Sequence, residues 1–250
     1  MTDFILQTTG LKRSFAGIRA VDGVDLAVRR GSIHAVIGPN GAGKTTLFNL
    51  LTKFLEPTEG RILLRGEDIT AAGPAQIASL GMVRSFQISS VFTRLTALQN
   101  VRVALMRRGG HSFHFWRSHR DLDRHNQRAM ELLAAVGLER WAHERAARLP
   151  YGRKRALEIA TTLALEPDVL LLDEPLAGMG QEDVEQVAAL IKSLAGPRTV
   201  LLVEHNLKVI AQLADVITVM ARGRVIAEGP YATVSQNPEV RSAYLGSSHA

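Results

Sequence analysis

The sequence predicts an α/β fold with a mainly parallel sheet and an inserted helical subdomain. Short apolar runs alternate with helical stretches in the last third of the chain, which is typical of strands joined by helices. Runs such as VLLL and VLLV are apolar at every position and suit strands covered on both faces. From about Thr96 to Glu166 the strand signals vanish and apolar residues recur with a period near 3.6.

The individual elements follow from the same patterns. The first part of the chain has four short β-rich runs, at residues 4–8, 24–28, 33–37 and 61–64, with glycines at their ends. The third run, IHAVI, leads through GPNGAGKTT into LFNLLTKFL, which predicts a strand, a glycine loop and a helix. After Pro167 the strand signals return in DVLLLDEP, RTVLLVEH and VITVMARGRVIAEG. We expect one domain over 1–250, with an α/β core at 1–95 and 167–250 and a helical subdomain at 96–166.

The composition limits the possible classes of protein. The chain has 250 residues, a net charge of +6 and no cysteine, so it contains no disulfide and no thiolate zinc site. No apolar run approaches the 18 or so residues of a spanning helix, and the first ten residues lack a basic signal region. We expect a cytosolic chain unless a partner holds it. Its charge favours an anionic partner: a nucleotide, a nucleic acid or a lipid surface.

The strongest motif is a phosphate-binding loop. Residues 38–45 match GxxxxGK[ST] after an apolar strand and before a helix, the context that the pattern requires. Backbone N–H groups of the loop surround phosphate oxygens, Lys44 reaches the terminal phosphates, and the Thr45 hydroxyl can bind Mg²⁺. The weaker alternative is a glycine-rich turn that only caps a helix. The candidate nucleotide-binding residues of the loop are Gly38, Pro39, Asn40, Gly41, Ala42, Gly43, Lys44, Thr45 and Thr46.

Polar residues at strand ends supply candidates for the metal and the catalytic groups. Asp173 ends VLLLD and becomes a metal ligand when paired with such a loop. Glu174 follows it and could act as a general base toward water. Gln87, in VRSFQ, could reach the metal or the water, and His205, after VLLVE, could hydrogen-bond a γ-phosphate oxygen. Taken singly, these side chains could instead be a strand cap, a surface carboxylate and satisfied polar residues.

A second candidate anion site occurs at LPYGRKRALEI, residues 149–159. A turn precedes a helix that starts near Tyr151 and carries three cations in its first turns. Gly152 would let an oxygen approach closely, and the free N–H groups of a helix start favour anions. One chain therefore contains two candidate phosphate sites.

The order of these motifs resembles the ATP-binding subunit of ABC transporters, over nearly the whole chain. The resemblance is closest to branched-chain amino acid importer ATPases of the LivG type. It is carried by FAGIRAVDGVDLAV, GMVRSFQISSVFTRLTALQNV, LPYGRKRALEIA and RVIAEGPYATVSQNPEVRSAYLG. It implies the ABC ATPase fold: a P-loop NTPase core, an N-terminal antiparallel β-subdomain and an inserted α-helical subdomain.

The resemblance also implies ligands and partners. The ligands are ATP and Mg²⁺, and two subunits, identical or homologous, face each other head to tail. The signature segment of one, here Tyr151 and Gly152, then closes over the γ-phosphate held by the other. Membrane permease subunits are the partners, a solute-binding protein acts indirectly, and no nucleic acid partner is expected. Residues 88–95 are the candidates for the groove in which the permease docks, and the alternative is that they only pack between the subdomains. The subunit would lie at the cytoplasmic face of the inner membrane, as a peripheral protein.

Phe15 aligns with the aromatic residue that stacks on adenine in this family. The alternative for Phe15 is a core residue at the end of the first strand. The chain also departs from the family pattern at two places: Pro150 and Tyr151 stand where serine and glycine are usual, and Gly180 replaces an interface aspartate. Proline has no N–H to donate, so Gly152 and the helix start must supply the remaining donors.

Two other functions remain open at the level of sequence. The first is an ABC ATPase outside transport, which the positive charge favours, although the chain has neither a second cassette nor a long coiled-coil insertion. The second is a regulatory nucleotide-binding module without catalysis, suggested by Pro150 and Gly180. The basic, aromatic segment 107–120 is either a mobile loop or a region near anionic lipid.

Overall fold

The structure is a computed structural model that describes residues 3–85, 91–108, 125–205 and 207–245. The described residues form two compact units. The first unit comprises Met1–Arg84, Asp168–Pro175 and Ile191–Ala250, and the second comprises Ser85–Pro167 and Leu176–Leu190.

The strands form two sheets, as the sequence predicts. In chain order they are β1 (Phe4–Phe15), β2 (Ile18–Arg29), β3 (Ile33–Ile37), β4 (Glu59–Leu64), β5 (Glu67–Asp68), β6 (Met82–Ser85), β7 (Val169–Asp173), β8 (Thr199–Val203), β9 (Val216–Ala221) and β10 (Arg224–Gly229). A six-stranded sheet has the order β10-β9-β3-β8-β7-β6, and a four-stranded sheet has the order β2-β1-β4-β5. The pairs β9/β3, β3/β8 and β8/β7 are parallel, so the prediction of a mainly parallel sheet is confirmed.

The helices are named in the same way. They are α1 (Lys44–Leu51), α2 (Pro74–Ser79), α3 (Ala97–Arg108), α4 (Asn126–Ala135), α5 (Tyr151–Leu163), α6 (Gln181–Leu194), α7 (Leu207–Leu213), α8 (Tyr231–Val234) and α9 (Pro238–Leu245). Two 3₁₀ turns, Glu139–Trp141 and Ala146–Arg148, lie between α4 and α5.

The first two strands are longer than the sequence analysis predicts, with 12 residues each. Their polar residues alternate with buried ones, because one face of the hairpin packs on the core and the other meets water. Ala16 and Gly17 connect them with positive φ angles of 45° and 87°, the backbone that a two-residue hairpin turn requires. The four-stranded sheet is antiparallel throughout, which confirms the N-terminal antiparallel subdomain.

The core of the first unit lies between the sheets and α1. The helix contributes four buried residues, and the central strands β3, β7 and β8 are buried at every position. Phe48 is the largest fully buried side chain of this unit. Fully apolar strands covered on both faces explain why these runs show no alternation in the sequence.

The second unit is helical, as predicted for the middle of the chain. Helices α3, α4 and α5 pack against one another through buried side chains such as Val101, Leu133 and Leu157. An ion pair at 2.5 Å joins Arg155 and Glu158 of α5, and both side chains are buried. Residues of α6 up to Leu190 belong to the same unit.

A buried histidine lies in the middle of the large sheet. The Nε2 atom of His34, on β3, is 2.7 Å from the hydroxyl of Thr218, which donates to Glu228 at 2.6 Å. Burial lowers the pKa of His34 from its ordinary value of 6.5 to about 4. The Glu228 carboxylate, 4.0 Å away, would favour the charged ring, but it is partly exposed and burial outweighs it. His34 is therefore neutral in the folded chain at neutral pH.

The fold should lose stability as the pH falls from 6.5 toward 4. The unfolded chain binds a proton at His34 more readily in this window, so the contribution of neutral His34 is present above pH 6.5 and lost below it. The shift corresponds to about 3 kcal/mol. His34→Gln, which does not titrate, should show a shallower decline in unfolding free energy than the wild type in urea melts from pH 7 to 4.5. His143→Gln, at an exposed position, should follow the wild type; equal pH slopes in all three proteins would contradict the assignment.

Candidate nucleotide-binding site

A glycine loop joins a buried strand to a helix at the predicted place. β3 ends at Ile37, the loop spans residues 38–43, and α1 begins at Lys44. The N-cap residue of α1 is Gly43, which offers no side chain to the first amides of the helix. Amides at a helix start carry partial positive charge and need acceptors. The start of α1 therefore provides N–H donors that suit phosphate oxygens.

Three glycines of the loop are required by the backbone. Gly38 and Gly43 have φ angles of 153° and 99°. A Cβ at position 38 would lie 2.2 Å from the carbonyl oxygen of Met220, and one at position 43 would lie 2.3 Å from that of Ala20. Gly41 has a φ of 77°, but a Cβ there would meet no atom within 4 Å. Neighbouring backbone thus holds the loop at both ends, whereas its tip borders open space.

The loop lysine folds back on the loop. Nζ of Lys44 donates to the carbonyl oxygens of Gly38 and Pro39 at 2.7 and 3.0 Å. Burial lowers the pKa of Lys44, while the negative charges of Glu174 and Asp173 act in the opposite direction. The lysine therefore stands in the electrostatic field of both predicted carboxylates. Its bonds to two carbonyls are ones that a phosphate oxygen can replace.

The predicted metal ligand ends a buried strand. β7 has no exposed residue, and Asp173 is its last residue, with 1% of its surface exposed. Oδ2 of Asp173 accepts a hydrogen bond from Nη2 of Arg84. Such a partner offsets part of the cost of burying a carboxylate. A carboxylate with two oxygens can accept from an arginine and still offer lone pairs to a cation.

Glu174 has an unusual backbone conformation. Its φ is 45°, a left-handed value that a side chain with a Cβ rarely adopts. Its N–H donates to the carbonyl oxygen of Val203 at the end of β8, at 2.9 Å. The chain thus turns at the residue after Asp173, and neighbouring β8 fixes this turn. Strain of this kind is common at functional sites.

His205 follows β8, next to Glu204. The side chain of His205 is 65% exposed, whereas that of Glu204 is 1% exposed. The His205 N–H donates to the Glu204 carboxylate at 3.0 Å. This contact anchors the backbone of His205 and leaves its imidazole accessible to a ligand.

The loop residues offer a partial site for magnesium. Thr45, in the first turn of α1, is exposed, and Thr46 is half-buried. The donor set of hydroxyl and carboxylate oxygens, from Thr45 and Asp173, is the type that Mg²⁺ prefers. The chemistry of these residues therefore fits a magnesium ion bound together with nucleotide phosphates.

Phe15 lies at the end of β1 and is 41% exposed, so the alternative of a core phenylalanine is wrong. The guanidinium of Arg13 lies 4.8 Å from its ring centre. An exposed aromatic face of this kind can stack on a base.

The second predicted anion site begins α5 in the helical unit. Pro150 is the N-cap and provides no side-chain cap, Tyr151 is exposed, and Gly152 is buried. A Cβ on Gly152 would lie 2.5 Å from Cγ of Asp183, which belongs to the same unit. A side chain at position 152 would therefore displace the side chain of Asp183. The guanidinium of Arg153 lies 4.0 Å from the ring centre of Trp141.

Two features of the first unit are absent from the sequence analysis. One is Arg84, on β6: the sequence VRSFQ contains this arginine but does not indicate its partner. The other is a cleft of about 750 Å³ that is lined by loop residues together with residues of β9, β10 and α9. The cleft is lined by Asp22, Pro39, Asn40, Gly41, Ala42, Ala221, Arg222, Arg224, Ile226, Glu239, Ser242 and Ala243.

Some predicted residues lie outside the described part of the chain. These are Gln87, residues 88–90 of the predicted docking segment, and residues 109–120 of the basic, aromatic segment. Of the remaining candidates in the first unit, the structure brings Lys44, Asp173 and Glu174 to one edge of the large sheet.

Comparison with known proteins identifies the family. The family model described as "ABC transporter" matches residues 21–177, and the chain belongs to this family of ATP-binding cassettes. A second model, "Branched-chain amino acid ATP-binding cassette transporter", matches residues 224–250.

Individual relatives agree with this assignment. The chain is 40% identical to the high-affinity branched-chain amino acid transport ATP-binding protein BraF of Pseudomonas aeruginosa, over 97% of this chain and 98% of that protein. It is 38% identical to the LivG protein of the same description from Escherichia coli, over 98% of this chain and 99% of that protein.

Solved structures show the same fold. An ABC transporter cassette in its ADP conformation superimposes with a TM-score of 0.86 and 29% identity, covering 98% of this chain and 100% of that one. A nucleotide-free cassette superimposes with a TM-score of 0.85 and 28% identity, covering 96% and 98%. Among the described residues, no helix combines the length and the apolarity needed to cross a bilayer.

Substitution of Gly43 should destabilise the chain more than substitution of Gly41. Both positions have a positive φ, so alanine is strained at each, but only at position 43 does the new Cβ meet backbone. Gly43→Ala should therefore lower the unfolding free energy by about 1 to 3 kcal/mol more than Gly41→Ala. Urea melts of both proteins without nucleotide measure this difference. Equal losses would show that the close approach to Ala20 is absent in solution.

Proposed function

We propose that this chain is the ATP-binding and ATP-hydrolysing subunit of an importer for branched-chain or other amino acids. The observation that carries the proposal is the meeting of Lys44, Asp173 and Glu174 at one edge of the sheet, next to the glycine loop. The solute class rests on the match of the C-terminal segment and on the relatives named above. The positive charge serves an anionic substrate, ATP, and no nucleic acid partner is proposed.

The glycine loop and its lysine bind the phosphates of ATP. Backbone N–H groups of the loop and of the start of α1 donate to phosphate oxygens, and Lys44 exchanges its two carbonyl contacts for such oxygens. Phe15 stacks on the adenine through its exposed ring. A half-buried lysine interacts more strongly with a phosphate than an exposed one, because water screens it less.

Thr45, Asp173 and Gln87 would hold magnesium next to the phosphates. The ion would neutralise charge that develops on the transferring phosphoryl group. The chain contributes the hydroxyl of Thr45 from the first turn of α1 and the carboxylate of Asp173 from the end of β7.

Glu174 accepts a proton from the attacking water. The water oxygen forms a bond to the γ-phosphorus while the bond to the β–γ bridging oxygen breaks, and ADP leaves with that electron pair. His205 donates a hydrogen bond to a γ-phosphate oxygen through its exposed imidazole. The hydrogen bond from the Glu174 N–H to Val203 fixes the backbone of Glu174, the residue that follows the proposed metal ligand Asp173.

A second subunit supplies the remaining donors. The start of α5, at Tyr151 and Gly152, has no side-chain cap and suits the γ-phosphate held by a partner cassette, either an identical or a homologous chain. Hydrolysis thus requires two cassettes. Because Pro150 has no N–H, the N–H groups of Gly152 and of the helix start must supply the donors for closure.

Transport also requires membrane permease subunits and, indirectly, a solute-binding protein. The permease docks on segment 88–95, which places the chain at the cytoplasmic face of the inner membrane. In the described part of that segment, the backbone of Phe92 is held by Asn100 through bonds of 2.7 and 3.1 Å. The Phe92 side chain is nevertheless 57% exposed. A fixed backbone with an exposed aromatic ring suits a protein contact.

Glu174→Gln should keep ATP binding and lose turnover. The amide cannot accept the proton, so phosphate release should fall at least about 100-fold. The variant should also accumulate as a dimer in the presence of ATP, which size-exclusion chromatography with light scattering would detect. Lys44→Ala should lose nucleotide binding itself, measured with a fluorescent ATP analogue.

Glu67→Gln, at an exposed position of β5, is the matched control and should retain wild-type turnover. Normal phosphate release from the Glu174→Gln protein would contradict the assignment of the general base. Normal nucleotide binding by Lys44→Ala would contradict the phosphate site.

A photo-crosslinker placed at Phe92 should capture a permease subunit in membranes that contain the assembled transporter. The exposed ring position would face the partner, so the crosslinked product should contain a membrane-spanning protein by mass spectrometry. The same crosslinker at Tyr231, an exposed aromatic position of the first unit, serves as the control and should capture none. Equal capture from both positions would exclude specific docking at Phe92.

A further inference from the structure

Arg84 connects three elements of the first unit. Its side chain is 8% exposed and extends from β6. Nη1 donates to Oδ1 of Asn49 on α1 at 2.5 Å, and Nη2 donates to Oδ2 of Asp173 on β7. The guanidinium carbon also lies 5.8 Å from the ring centre of Phe48, on α1. The arginine thus ties the helix behind the phosphate loop to the predicted magnesium ligand.

The burial of this pair gives it a specific electrostatic role. The side chain of Asp173 is 2% exposed, and a buried carboxylate without a cation nearby is costly. Removing one partner of a buried ion pair leaves the other charge uncompensated. Lys44 is also near Asp173, but its ammonium is directed to the carbonyl oxygens of the loop. Arg84, in contrast, donates a hydrogen bond directly to the Asp173 carboxylate.

We propose that Arg84 is a positioning residue that acts as the internal counter-ion of Asp173 while the site contains no magnesium. It holds the carboxylate in place at the end of β7, so that the site is formed before nucleotide arrives. When Mg²⁺ and nucleotide bind, the metal supplies positive charge to the same carboxylate, and the dependence of the fold on Arg84 decreases. The inference rests on the proposed assignment of Asp173 to magnesium.

The test compares thermal stability with and without the metal. Arg84→Met keeps much of the apolar stem and removes the charge. In EDTA its melting temperature should fall by at least about 6 °C, because a buried carboxylate loses its partner. In saturating Mg²⁺ and ADP, the difference in melting temperature between Arg84→Met and the wild type should be less than half of its value in EDTA. Arg84→Lys keeps the charge, so its melting temperature in EDTA should lie between those of the wild type and of Arg84→Met.

A second substitution separates charge from packing. Asp173→Asn in the Arg84→Met background removes the charge that Arg84 balances in the wild type and should restore at least half of the loss in EDTA. If Arg84 only fills space, the loss will be equal in both conditions and Asp173→Asn will not restore it, which overturns the proposal. Asp168→Asn is the control, because Asp168 forms an exposed ion pair with Arg65 at 2.5 Å. This substitution should change the melting temperature only slightly, both in EDTA and in Mg²⁺ and ADP.

The wild type distinguishes this proposal from the proposed function. If Mg²⁺ and ADP raise the melting temperature of the wild type but leave the Arg84→Met deficit unchanged, only the role of Arg84 fails. If ADP stabilises the wild type equally in EDTA and in Mg²⁺, the assignment of a magnesium site fails. Rescue by Asp173→Asn in EDTA tests the ion pair in either case.

Discussion

The parallel pairing of β3, β8 and β7 determines where chemistry can occur in this chain. Val36 on β3 and Asp173 on β7 are both in register with Val203 on β8. The carboxyl ends of the three strands therefore align, and the segments that follow them meet at one edge of the sheet. A slip of one residue in β7 would turn the Asp173 side chain to the opposite face. The burial of all three strands on both faces opposes such a slip.

The site also depends on a balance of charge in a partly dry environment. Lys44 is half-buried, Arg84 and Asp173 are almost fully buried, and Glu174 follows directly. A charge removed from water without an opposite charge nearby is costly. Together they compensate one another, so the charged groups are in place before a ligand binds. Catalysis that relies on fixed charges benefits from this, since little reorganisation is required during the reaction.

Much of this arrangement can be predicted from local sequence. The glycine loop, the fully apolar strands and Asp173 at a strand end are recognisable because each depends on neighbours within about ten residues. The lengths of β1 and β2 were underestimated because their polar residues, such as Lys12 and Arg13, interrupt the apolar signal without interrupting the pairing. The alternative that Phe15 is a core residue is wrong, because Phe15 is the last residue of β1, next to the hairpin turn, and its side chain is exposed.

Contacts between distant segments could not be predicted. Arg84 and Asp173 are 89 positions apart, and only the completed sheet brings them together. The packing of Asp183 on Gly152 likewise depends on how α5 and α6 fold together within the helical unit. The buried state of His34 was not visible either, since a histidine in an apolar run can also face water. Gln87 stays a prediction, as it lies outside the described residues.

The cleft beside the glycine loop has a consequence for the chain's tail. Ser242 and Ala243 of α9 line the same space as Asn40 and Gly41. Side chains of the tail therefore limit the volume available at the tip of the loop. A larger residue at position 243 would intrude into this space, so tail and loop cannot vary independently in size. Removing α9, or fusing another protein to it, would therefore change the lining of the cleft beside the glycine loop.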